Sequence, residues 1–268
     1  MNIGFYLENI DDVEKAKILI KSIKENIKQS CIYIVTKHDV NLSDCTIIND
    51  QITAHNDLYF VDKVHAASIF EKTISTPYLW IDIDTIFLKP ADQFFNFSKD
   101  IAVNPVDIRN IGVLKDHLIS DVWETTMKHL KMTSFDHYVT TRVSNEVIHL
   151  YYNIGMVYVR EHRGLFEKTY QTLTNLFHDQ SIYQMIMSNP LYRIFYHQLV
   201  FSLYVEKLYD QHIDKLGEYI NYPLHLMDKD AKKPHIEDLI SIRYDTYLNN
   251  HEIPEFLKKT ININKSYL

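Results

Sequence analysis

Tyr78-Leu79-Trp80-Ile81-Asp82-Ile83-Asp84-Thr85-Ile86-Phe87-Leu88-Lys89-Pro90 is the stretch from which the fold can be read. Tyr78 to Ile81 is a short apolar block, with the length and side-chain type of a strand covered on both faces. Two carboxylates end it. Asp82 and Asp84 are one residue apart, so an extended backbone puts both side chains on one side. Two ionised carboxylates about 4 Å apart repel by roughly 4 kcal/mol at an effective dielectric near 20. A shared proton, a basic side chain or a divalent cation would relieve that. The nearest base in sequence, Lys89, lies beyond Ile86-Phe87-Leu88 and is carried away from the pair. A hard cation, Mg²⁺ or Mn²⁺, is therefore the expected relief; such ions take one or two carboxylates together with phosphate oxygens. A bare D-x-D is usually a turn with a solvated acid. At the end of a buried strand, however, it stands where open α/β sheets bind ligands.

Upstream, Ile3 to Leu7 reads as a strand and Cys31 to Thr36 as another. Between them Val13, Ala16, Leu19, Ile20, Ile23 and Ile27 fall on one helical stripe, with Asp11 or Asp12 as the expected cap. Strand, helix, strand at this spacing is a βαβ unit, hence a mostly parallel sheet flanked by helices. Tyr6 ends the first strand, where it can stack on a base or simply pack. A second helix, capped by Asp62, turns Val64, Ala67, Phe70 and Ile74 inward. Lys63 lies in its first turn, where the helix dipole favours anions and an unforced lysine is disfavoured; a bound phosphate would explain it.

The segment Asp62 to Asp84 resembles the core of the GT-A-fold glycosyltransferases in their glycogenin-like and lipopolysaccharide-glycosyltransferase-like branch. Asn153-Ile154-Gly155 is similar to that branch's N-[SA]-G segment, and His197-Gln198 to its acidic-or-polar residue followed by Gln. The resemblance implies one GT-A-like (Rossmann-like) catalytic domain over 1–268, nucleotide-binding over about 1–110 and acceptor-facing over about 111–268, with a smaller C-terminal region. It implies transfer of a hexose, with retention, from a nucleoside-diphosphate sugar, UDP-sugars favoured, to a glycan, lipid-linked or protein acceptor. Asp82 and Asp84 would hold the metal and diphosphate, and Asn153, Gly155 and Gln198 would meet the donor sugar. His197 stands where the branch usually has an acid. The branch's C-terminal H-x-x-G-x-x-K-P-W is missing, which leaves His225 or His235 as third metal ligand and Arg243 as a phosphate contact.

Two other functions compete. Asp82-Ile83-Asp84 also resembles the D-x-D-x-[TV] of haloacid-dehalogenase phosphatases, although Ile86 occupies the fifth position, and a later acidic pair could only be Asp228 and Asp230. A non-catalytic nucleotide-sugar-binding protein of the same fold is the third.

Composition narrows the field. At 268 residues, 46% hydrophobic and 24% charged, the chain has ordinary globular composition and can bury a sizeable core. A net charge of −7 without basic blocks argues against nucleic acid as partner. Five glycines among 19 Tyr and 13 Phe leave no Gly-rich phosphate loop, so phosphate binding falls to a metal and single cations. Cys31 and Cys45 have no metal spacing, and Cys31 is expected to be a small buried hydrophobe. With no signal-peptide pattern and no span of about 18 apolar residues, a cytoplasmic protein is expected, peripheral membrane attachment left open.

Further helices are expected over Leu114 to Leu130, Leu165 to Phe177 and Tyr192 to Tyr209, strands over Ile101 to Asn104 and Met156 to Val159, and two more between Tyr219 and Tyr244. The polar stretch Asp136 to His149 reads as an irregular acceptor loop offering Asp136, His137, Arg142 and Asn145.

Overall fold

The structure, a computed structural model, describes residues 1–52, 58–133 and 137–245. Its strands are β1 (Asn2–Tyr6), β2 (Cys31–Thr36), β3 (Thr46–Asn49), β4 (Tyr78–Ile81), β5 (Thr85–Phe87), β6 (Ile101–Pro105), β7 (Tyr138–Thr140), β8 (Val147–His149), β9 (Tyr152–Val159), β10 (Ile213–Asp214), β11 (Tyr222–Pro223) and β12 (Ser241–Arg243). The helices are α1 (Val13–Asn26), α2 (Val61–Thr73), α3 (Asp121–His129), α4 (Leu165–Phe177), α5 (Gln180–Met187) and α6 (Pro190–Tyr209).

Seven strands form the central sheet in the order β10-β6-β9-β4-β1-β2-β3. The pairs β1/β2, β2/β3, β1/β4 and β6/β10 are parallel, and only β9 runs against its neighbours β4 and β6. This is a mostly parallel α/β sheet, as the βαβ pattern requires. β1 has β2 on one side and β4 on the other, so the chain reverses its direction of travel across the sheet between them, and the crevice at their carboxyl ends is the expected ligand site. Tyr6 ends β1 and Asp82 follows β4.

Period-two alternation divides the core between the two faces. Tyr78 and Trp80 join the face packed by α2, α4 and α6, while Leu79 and Ile81 join the face packed by α1. The same parity carries the residue after Ile81, Asp82, toward α2. A small second sheet, β11-β12-β5, packs beside the first and sets Arg243 opposite Thr85. That pairing returns the end of the described chain to the turn that follows β4.

Several expectations need correction. Asp82, Ile83 and Asp84 form a turn between β4 and β5 instead of an extended continuation, with the Thr85 amide donating to the Asp82 carbonyl at 3.1 Å. The stretch 114–130 is helical only over Asp121–His129, because Leu114 bridges to Ile148 instead. The supposed acceptor loop is the β7–β8 hairpin, and Arg142 is spent on the carbonyls of Glu218, Ile220 and Asn221. Gly155 lies inside β9, not before it. Asp62 is in the first turn of α2 and the cap position is Phe60, in the left-handed region at φ 65°. Asp12 stands at the cap of α1 without a side-chain capping bond, and Cys31 is exposed. Asp136 lies outside the described residues. Among the described residues no helix is long and apolar enough to cross a membrane.

One buried carboxylate ties the α2 layer together. Glu71 of α2, 1% exposed, accepts from the Tyr78 hydroxyl at 2.9 Å and from the amides of Leu165 and Glu167 at 3.0 and 2.9 Å. Gly164, at the cap of α4, has no side chain to serve those first-turn amides, so Glu71 caps α4 from the neighbouring helix. Burial raises its pKa against these bonds. Glu71→Leu would strand all three donors and is expected to cost about 3 kcal/mol in urea denaturation, with Glu71→Gln losing clearly less.

Candidate active site

A cavity of about 460 Å³ opens at the carboxyl ends of β1 and β4. Ten of the residues singled out in the sequence line it: Tyr6, Lys63, Asp82, Asp84, Asn153, Gly155, His197, Gln198, His225 and Arg243. They come from β1, α2, the β4–β5 turn, β9, α6, the 3-10 turn Leu224–Lys229 and β12. His235 is exposed and is not among the lining residues, so of the two candidate histidines only His225 faces the cavity.

The floor is an alternation of charges. Lys63 Nζ donates to Asp82 Oδ1 at 2.9 Å, both side chains being about one-sixth exposed. Burial pushes the Asp82 carboxyl up, but Lys63, then Arg243, hold it below its ordinary value. The basic partner thus comes from α2, nineteen residues earlier, where local sequence pointed only to Lys89; the Lys89 ammonium instead bonds the Glu237 carbonyl. Asp84 has no such partner among the described residues. Burial first and the Asp82 charge second push its pKa up to about 6, with Arg243 opposing. The Asp245 amide donates to Asp84 Oδ2 at 2.8 Å and the Tyr244 amide to the Asp84 carbonyl at 3.1 Å. The β12 strand, pairing with β5, is what brings both amides there.

Arg243 is held by a residue the sequence reading missed. Asp107, 5% exposed, accepts from Arg243 Nη2 at 2.7 Å and from Asn153 Nδ2 at 3.2 Å, and lies 3.6 Å from Arg142. Asp107, Asp84 and Asp82 together raise the Arg243 pKa against the opposing effect of burial. Asp107 sits just past the end of β6 in an unremarkable Pro-Val-Asp-Ile context, and only the pairing of β6 with β9 brings it to Asn153.

Asn153 is oriented at both ends, because its Oδ1 accepts from the Gly155 amide at 2.7 Å. Gly155 has no room for a side chain. A Cβ there would stand 2.5 Å from Asp82 Oδ2 and 2.9 Å from Asn153 Oδ1. Its carbonyl takes the Asp82 amide at 2.8 Å, fixing the turn against β9.

His197 is 4% exposed, and burial first, then Lys63, lower its pKa to about 3, so the ring is neutral at physiological pH. Among the described residues its Nδ1 has no hydrogen-bond partner, nor has the Tyr6 hydroxyl or His225 Nδ1. Burial of Tyr6, aided by Asp62 and Glu8, keeps its phenol protonated. Gln198 adjoins the Tyr151 hydroxyl. His225 Nε2 is 3.9 Å from Asp245 Oδ2, and burial lowers its pKa. The donor set of two carboxylates, one repelling the other, and a neutral imidazole suits a hard divalent cation. Their ligand atoms are not drawn together: among the described residues the one trio within 4.8 Å is His137, Glu206 and Asp210, which is outside the cavity and centred on a His137–Glu206 ion pair. The acidic pair that a phosphatase would need is not here either. Asp230 is buried on the Tyr222 hydroxyl and the Lys232 amide beside a different cavity.

No protein-family model matches the sequence, and no curated protein does. Solved structures do resemble it. The glycosyltransferase GlyE of Streptococcus pneumoniae TIGR4 superposes with a TM-score of 0.56 at 10% identity, covering 98% of this chain and 60% of GlyE. The galactosyltransferase LgtC, solved with donor and acceptor sugar analogs, gives 0.55 at 10% identity over 97% of this chain and 100% of its own. The bifunctional glycosyltransferase WbbM gives 0.51 at 12% identity over 91% and 45%. The fold is therefore that of the GT-A-type glycosyltransferases, and the chain spans about 60% of the length of GlyE.

The raised Asp84 pKa has a stability consequence with a definite sign. The folded state keeps this proton between the ordinary carboxylate pKa and about 6, so without metal the chain loses stability as pH rises through that window. Asp84→Asn removes the penalty. Its metal-free melting temperature should match the parent near pH 4 and exceed it above pH 6, by about 2–4 °C per kcal/mol relieved, read by calorimetry in chelator.

Proposed function

We propose that this chain is a metal-dependent glycosyltransferase that moves a hexose from a nucleoside-diphosphate sugar to an acceptor hydroxyl. The observation that carries the reading is the convergence of seven separate elements on one cavity at the sheet's switch point, each contributing a group that a sugar nucleotide needs. Asp82 and Asp84 would hold Mn²⁺ or Mg²⁺, with His225 as third ligand. When bound, the ion supplies a Lewis acid for the charge that grows on the departing diphosphate.

The protein's own groups do the rest. Lys63 and Arg243 add fixed positive charge beside the same oxygens, and their low exposure makes that charge count for more than it would in water. Asn153 and Gln198 hold the donor sugar by its hydroxyls, and the bonds from Asn153 to Asp107 and from the Gly155 amide to Asn153 fix the orientation of that side chain. Tyr6 contributes a ring for the base, with its hydroxyl free to bond the nucleotide. His197, being neutral, serves as a hydrogen-bonding group and not as a carboxylate substitute. The acceptor would enter from a neighbouring cavity of about 270 Å³ that shares Asn110 with the donor cavity and is lined by Leu118, Leu191 and Tyr192. A glycan, lipid-linked sugar or protein hydroxyl would suit it, and retention of configuration is carried over from the branch the sequence resembles.

A thermal-shift panel of nucleoside-diphosphate sugars with and without Mn²⁺ tests the reading. Ligand at a hundred times its dissociation constant should stabilise by about 2.7 kcal/mol. At least one UDP- or GDP-sugar should raise the melting temperature only with metal, and Asp84→Ala should abolish the rise. A flat response across the panel refutes the proposal.

A further inference from the structure

Lys63 and Arg243 face the same carboxylates but are held very differently. Arg243 is tied by its guanidinium to Asp107 Oδ2 at 2.7 Å, and its strand pairs with β5. Lys63 reaches Asp82 with one hydrogen bond at 2.9 Å, on a flexible four-carbon stem from α2, and its ammonium also lies 5.0 Å from the centre of the Phe60 ring. Both Asp82 and Lys63 border the cavity.

Charge counts sharpen the contrast. The low-exposure carboxylates at and beneath the floor are Asp82, Asp84 and Asp107, and the low-exposure cations are Lys63, Arg243 and Arg142. Fully ionised, this group is neutral before anything binds. At the rim Glu8 and Asp245 are exposed, so their charge is screened, and Asp12 is paired with Lys15. A divalent cation alone would find Asp82 already paired and would leave the Lys63 ammonium repelled and without its acceptor. A diphosphate alone would meet two carboxylates. Arriving together, the two ligands cancel each other's charge, and the phosphate oxygens give Lys63 a new acceptor within reach of the same cavity.

We propose that Lys63 is a transferable counter-ion, paired with Asp82 in the ligand-free protein and handed to the diphosphate when a divalent cation takes Asp82. The consequence is positive coupling: metal and nucleotide bind each other's complex far better than either binds alone, and by linkage the factor is the same in both directions. This rests on reading the cavity as a nucleotide-sugar site, and it adds the assignment of the coupling to one side chain.

Mn²⁺ binding to the full chain, counted by electron paramagnetic resonance with and without saturating UDP, or GDP if the panel selects it, tests this without any turnover. Lys63→Met should bind Mn²⁺ alone about tenfold more tightly than the parent, bind the nucleotide more weakly in Mn²⁺, and lose most of the coupling factor. Lys63→Arg should retain the coupling, which separates exchange of a cation from a packing defect, and circular dichroism checks that each variant is folded. If Lys63→Met binds Mn²⁺ alone no better than the parent while nucleotide binding in Mn²⁺ persists, the transfer is wrong although the site reading survives. If the parent binds Mn²⁺ in neither state, the site reading fails and takes this inference with it.

Discussion

Two carboxylates one residue apart, at the end of a strand with no exposed residue, repel each other in a place where water can do little to screen them. The surroundings answer that repulsion without removing it. Lys63 takes one oxygen of Asp82, Arg243 draws on both acids, and two backbone amides delivered by the end of β12 hold Asp84 in place. Asp84 still titrates near 6, so the ligand-free protein keeps an unspent preference for positive charge at this point. Retaining such a preference in a folded chain is the usual mark of a binding or catalytic centre.

The rest of the architecture can be understood as support for that pair. The switch between β1 and β4 opens the crevice, β9 runs antiparallel beside β4 so that Gly155 takes the Asp82 amide, and the missing side chain at Gly155 leaves the carboxylate its space. The β11-β12-β5 sheet has few residues, yet it sets Arg243 opposite Thr85 and thereby closes the floor. Asp107 then orients two groups at once, Arg243 and Asn153, from a position that touches neither in sequence. Glu71 performs the equivalent task one layer away, capping α4 from α2 and so fixing the helix that carries Lys63.

Much of this was legible in the amino acids because the signals were local. An apolar four-residue block ending in D-x-D marked β4 and the cavity at its end, and the βαβ spacing marked the parallel sheet. What was not legible depended on pairing across the chain. Asp107 carries no local pattern, the ion pair between Lys63 and Asp82 spans two elements, and the β7–β8 hairpin hides in a polar stretch whose Arg142 looked available but is bonded to three carbonyls. The helix expected to begin at Leu114 starts at Asp121 because a bridge to Ile148 competes for the backbone. Cys31 read as buried because it opens a strand, yet in β2 the burial begins one residue later.

The central claim is that this carboxylate pair exists to receive a hard cation together with a diphosphate. The most direct measurement is anomalous scattering from crystals grown with Mn²⁺ and a nucleoside diphosphate. The account predicts one strong manganese peak against Asp82 and Asp84, with phosphate density on its open side. Manganese found instead on His137, Glu206 and Asp210, or nucleotide bound in the cavity with no ion at the pair, would contradict it.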